Sequence, residues 1–72
     1  MDTIKIENLK DPREREILEL LKNRGGCPYG NIFEQLHFST LEGRQIIYSM
    51  LSRGLIRYKK RSSIVELNVD LS

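Results

Sequence analysis

The sequence predicts an α+β domain, three helices followed by a β-hairpin, and three observations carry that prediction. "STLEGRQIIYSMLSRG" opens on S-x-x-E and closes on glycine, with Gly43, Ile46, Ile47, Met50 and Leu51 at i, i+3, i+4, i+7 and i+8. "DPREREILELLKNRGG" begins with a helix-starting Asp-Pro pair and ends on two glycines. After Gly54 the apolar period changes from about 3.6 to about 2, as strands require.

Taken in order, "MDTIKIE" alternates with Ile4 and Ile6 on one side, which suggests an N-terminal strand or arm over residues 1–10. In helix one, residues 12–24, Asp11 caps, Pro12 fits the first helical position and Glu14 stands where a capping box wants a carboxylate. Ile17, Leu18 and Leu21 form its apolar stripe. Helix two is expected over residues 29–37, where Ile32, Phe33 and Leu36 share a face and Pro28 is tolerated in the first turn. Helix three follows from the capping box of Ser39 and Glu42 to the C-terminal Gly54. "LIRYKK" and "IVELNVDL" then pair about a turn at Arg61, Ser62 and Ser63, with Val65, Leu67, Val69 and Leu71 on one face. Ile4 and Ile6 can add a third strand to this sheet or to a neighbour's.

Seventy-two residues, 39% apolar and 31% charged, make one small folded domain, residues 1–72, with a core of marginal size. No apolar run approaches the roughly 20 residues of a membrane span, and the acidic start does not read as a signal peptide. A cytoplasmic protein away from membranes is the expectation. Cys27 is the single cysteine, which excludes an internal disulfide and metal sites built on paired cysteines; a small buried residue is expected there. His37 is the sole histidine and falls at a turn. With no nucleophile and base at suggestive spacing, no Gly-rich phosphate loop and no His/Cys cluster, the sequence predicts neither catalysis, cofactor, metal nor small-molecule substrate.

Charge is distributed unevenly. Residues 1–39 hold six Lys/Arg against seven Asp/Glu, whereas residues 40–61 hold Arg44, Arg53, Arg57, Lys59, Lys60 and Arg61 against Glu42 alone. Four like charges near one hairpin tip repel one another, so an anionic partner is indicated. A solvated edge strand kept soluble by lysine would look the same. Opposite the core stripe of helix three lie Leu41, Gln45, Tyr48 and Ser52, with Arg44 and Ser49 beside them. Gln pairs with adenine, Arg with guanine, and an apolar side chain packs on a thymine methyl, so this face suits the major groove. Leu41 can equally close the core, and Tyr48 can pack on helix two. Ser39 and Thr40, at the start of helix three, can hold a phosphate or simply cap.

The segment "IFEQLHFSTLEGRQIIYSMLSRGLI", residues 32–56, resembles the winged-helix form of the helix-turn-helix domain. Ile32, Leu36, Phe38, Ser39, Ile47, Met50, Gly54, Leu55 and Ile56 match the pattern without a gap, and with helix one and the hairpin the similarity spans about residues 11–70. Gly43 departs from the branched apolar residue usual at its position and Phe33 from the usual alanine, a pair in which the ring would fill the room the glycine leaves. The hairpin also lacks a glycine at its tip. In DNA-binding members the third helix enters the major groove and the hairpin wing meets backbone or minor groove. The resemblance thus implies that Arg44, Gln45 and Tyr48 face base edges and that Arg57, Lys59, Lys60 and Arg61 meet phosphates.

The function expected from these readings is sequence-specific binding of double-stranded DNA by a small transcriptional regulator. Two half-sites read together give affinity that one unit lacks, so a homodimer is expected, through Ile4, Ile6 and Leu9 or the face of helix one. The alternative is a protein-interaction winged helix in a larger assembly, with Leu41, Ile46 and Tyr48 as its docking patch.

Overall fold

Helix α1, Pro12–Arg24, starts where the sequence places it, because the Asp11 carboxylate accepts from the Arg13 N–H at 2.9 Å and Pro12 needs no donor partner in the first turn. It stops where Gly25 turns left-handed, at φ 75°, and donates its N–H to the Leu21 carbonyl at 2.8 Å. The computed structural model describes residues 3–71. The part of the expected strand and of the expected domain that falls on residues 1, 2 and 72 lies outside them.

Among the described residues the chain is α+β, with three α-helices and a three-stranded antiparallel sheet. Ahead of α1, Thr3–Ile4 forms strand β1 and Ile6–Asn8 a 3-10 turn, so the expected alternation ends after Ile4. Cys27–Pro28, expected at the entry to helix two, is instead strand β2. Helix α2, Tyr29–Leu36, ends one residue earlier than expected, because His37 takes the left-handed conformation at φ 60° and caps it. Helix α3, Thr40–Ser52, begins at Ser39, whose Oγ accepts from the Glu42 N–H at 3.1 Å.

Strands β3, Ile56–Tyr58, and β4, Ile64–Leu67, form the expected hairpin, with Ile56, Arg57 and Tyr58 opposite Leu67, Glu66 and Val65. Lacking a glycine at its tip, the loop turns on Arg61, at φ 59°. Ser62 stitches it, donating from Oγ to the Lys59 carbonyl at 3.0 Å and accepting from the Ile64 N–H at 3.2 Å. On the far edge of β4, β2 adds in antiparallel register, Cys27 opposite Val65 and Pro28 opposite Ile64, giving the order β2-β4-β3. The long second strand read from the sequence breaks at Asn68 and Val69. There the Asn68 amide reaches the Gly54 carbonyl and its N–H the Leu55 carbonyl, both at 3.0 Å. Beyond the break β5, Asp70–Leu71, leaves the hairpin sheet and pairs in parallel with β1.

Ile17, Leu18 and Leu21 of α1, Ile32 of α2, Ile46, Ile47 and Met50 of α3, and Ile56 and Val65 of the sheet make one core. Phe33 and Gly43 share a single volume: a Cβ at residue 43 would lie 2.5 Å from Phe33 Cδ1 and 2.8 Å from Cζ. Within the described residues no helix is long and apolar enough to cross a membrane.

Candidate nucleic-acid interface

All ten residues that the sequence assigns to DNA, namely Ser39, Thr40, Leu41, Arg44, Gln45, Tyr48, Arg57, Lys59, Lys60 and Arg61, are exposed. Leu41 keeps 69% of its surface and Tyr48 73%, so neither is folded into the core. Ile46 is different. It points inward and is 6% exposed, which removes it from the docking patch considered for a protein partner.

The outward face of α3 has two flanks. Arg44 and Tyr48, with Ile47 and Leu51 beneath them, line a groove whose other walls are Tyr29 and Phe33 of α2 and Tyr58 of β3. Its volume is about 590 Å³. Gln45 and Ser49 lie on the opposite flank, in a smaller cleft with Asp11, Arg13, Glu14 and Glu42. Helix three therefore divides its expected base-reading residues: Arg44 and Tyr48 border an aromatic groove, and Gln45 borders carboxylates.

Those carboxylates are largely matched by arginines. Arg13 donates to Asp11 Oδ2 and to Glu42 Oε2, each at 3.0 Å, tying the start of α1 to the start of α3. The side-chain hydrogen bond from Arg13, aided by the Arg13 N–H, holds the Asp11 carboxyl below its ordinary value of 3.8. Reciprocally, the hydrogen bonds to Asp11 and then Glu42 raise the Arg13 guanidinium above its ordinary value. Glu42 thus turns to Arg13, and Ser39 caps with its hydroxyl. Glu14 does not close the expected capping box on α1; it is buried and accepts from the Arg53 guanidinium at the end of α3. Arg53, counted among the basic residues by sequence, stays exposed but is paired with that carboxylate.

In the hairpin, Arg57 is engaged by its own sheet. It donates to Glu66 Oε1 at 2.9 Å and to Asn68 Oδ1 at 3.3 Å, because residue 66 is its direct cross-strand neighbour. The free cationic set is narrower than the sequence suggests: among the described residues Arg44, Lys59, Lys60 and Arg61 take part in no ion pair. The base of their loop is held to the groove, since the Tyr29 N–H donates to the Ser63 carbonyl at 3.2 Å.

Tyr29 and Tyr58 escaped the sequence reading as site residues. Together with Tyr48 they are all three tyrosines of the chain, and all three line this groove. Their spacing follows no helical or strand period, so only that shared residue type hinted at the grouping. Tyr29 and Phe33, one helical turn apart, pack with ring centroids 5.7 Å apart at 59°. Cys27 is buried as expected, and His37 is exposed at its turn. Ile4, Ile6 and Leu9, considered for a dimer contact, pack partly buried against the chain's own core. No family model, curated protein or solved structure matches the chain.

Proposed function

We propose that the chain is a winged helix-turn-helix domain that binds double-stranded DNA as a small cytoplasmic transcriptional regulator. The observation that carries this reading is the shared groove of Arg44 and Tyr48 from α3 with Tyr58 from β3, which sets the base of the cationic loop beside the exposed helix face. In this reading α3 enters the major groove. Arg44 donates its paired N–H groups to a guanine edge, Tyr48 faces a base edge on the same flank of the helix and Gln45 one on the opposite flank, and Leu41 packs on a thymine methyl. Lys59, Lys60 and Arg61 lie on phosphates, with Ser39 and Thr40 at a further phosphate by the helix start. Arg57, already bound to Glu66 and Asn68, orients the hairpin and makes at most a secondary phosphate contact. Two copies on neighbouring half-sites supply the affinity that one unit lacks.

The test is a salt series of binding to short random duplex DNA. Each phosphate neutralised releases counterions, so affinity should fall steeply with salt, and Lys59→Ala with Lys60→Ala should make the logarithmic slope shallower by about 2. Arg57→Ala should change that slope less than either lysine variant. The apolar lining of the groove favours a competing reading, docking of an acidic protein. Absence of DNA binding even at low salt would select that one.

A further inference from the structure

The groove between α2, α3 and β3 is more than the flank of a duplex-reading helix. Its floor is Ile47 and Leu51, its walls are Tyr29, Phe33, Tyr48 and Tyr58, and Arg44 stands at its rim. The three tyrosine rings remain substantially exposed, Tyr58 at 46% and Tyr29 at 38%, and only Tyr29 makes a ring contact among the described residues, with Phe33. Arg44 and, in the loop that follows Tyr58, Lys59, Lys60 and Arg61 carry no ion pair among the described residues. An occupant that satisfies this site needs flat apolar faces for the rings and negative charge for the rim. A purely apolar peptide would leave the cations unmatched. A fully paired duplex keeps its bases stacked inward and presents no base face to the walls.

We propose that this groove receives an unpaired nucleobase of a DNA strand, stacked against Tyr58 and Tyr29, with the flanking phosphates on Lys59, Lys60 and Arg61 of the loop that follows Tyr58. Every base has a π-face, so stacking on tyrosine tolerates sequence, and the adjacent guanidinium strengthens it. The inference rests on the nucleic-acid reading above and adds the DNA form that is preferred: a bulged, frayed or single-stranded site over a continuous duplex.

The experiment measures binding of the full chain, by fluorescence anisotropy, to a short duplex and to the same duplex carrying one extra unpaired thymine. The two probes have nearly the same charge, so their difference reports the base. The bulged duplex should bind about tenfold tighter, the effect of one stacked base. Tyr58→Leu and Tyr29→Leu, which keep apolar bulk and remove the π-face, should each reduce that preference severalfold while leaving affinity for the perfect duplex unchanged. Tyr58→Phe should retain the preference, which separates loss of stacking from loss of fold. Equal binding of both probes, or a preference that survives both leucine variants, would overturn this inference and leave duplex binding standing. Failure to bind either probe at low salt would overturn both readings.

Discussion

Gly43 and Phe33 show at the residue scale how one position sets another. The ring occupies the space a Cβ on α3 would take, 2.8 Å from Cζ and closer at the ring edge, so one side chain substitutes for two. Gly43→Ala gains up to about 1 kcal/mol of helix propensity but crowds the ring, a cost of about 1–3 kcal/mol, so a net loss of about 1 kcal/mol is expected. Phe33→Ala alone should cost about 2 kcal/mol, less than for a fully buried ring, because the half-buried side chain leaves a widened groove over Ile47. The double variant should lose less than the sum of the two by about 1 kcal/mol, because the new methyl enters the vacated space. Urea denaturation of the four proteins measures this coupling, and strict additivity would show that the ring and the glycine are independent. The departure at both positions, and the ring filling the room the glycine leaves, were legible in the sequence through the family pattern, and the structure bears the contact out.

At the scale of elements, the helix starts follow from local chemistry. Asp11 and Ser39 each accept from a backbone N–H of the first turn, and each was readable from residue type and spacing alone. Asp11 adds a pH dependence. Its folded carboxyl lies below its ordinary 3.8, so the charged form is favoured by folding. That stabilisation is complete above the ordinary value and is lost as pH falls through the lowered one. Asp11→Ala should therefore cost about 1 kcal/mol at neutral pH. Chemical denaturation at stepwise lower pH should bring the variant and the parent chain together as the pH drops below 3.8. A constant gap across that range would place the stabilisation elsewhere. The Arg13 pairs are exposed and screened, so they fix the orientation of α1 against α3 more than they add stability. Strand β2 was missed because two residues display no period, and β5 was read as the end of one long strand because nothing local marks the break at Asn68 and Val69; each is defined by its partner strand.

For the whole molecule, the N-terminal arm decides whether stability is a property of one chain. Ile4, Ile6 and Leu9 pack on the core, and β1 pairs with β5, so the arm closes the domain on itself. Ile4→Asp should lower stability by about 1–2 kcal/mol through lost apolar burial. The denaturation midpoint of parent and variant should shift by the same amount at low and high protein concentration. A shift that grows with concentration would place Ile4 in a contact between copies. Any dimer on DNA half-sites is then expected to use another surface, and the outward face of α1 is the remaining one named by the sequence.

Composition and period alone determined the three helices, the hairpin, the N-caps at Asp11 and Ser39 and the cluster of cations after Gly54, because each depends on residues within a few positions of one another. Tertiary structure decided which of those features can act together. It bound Arg57 to Glu66 and turned Arg53 to Glu14, leaving Arg44 and three loop cations free of ion pairs among the described residues. It also gave the two flanks of α3 different neighbours, aromatic rings beside Arg44 and carboxylates beside Gln45, and gathered Tyr29, Tyr48 and Tyr58 around one groove. The physical reason is distance along the chain: ion pairs and shared walls join residues whose separation follows no period, so they take shape only when the sheet folds back onto the helices.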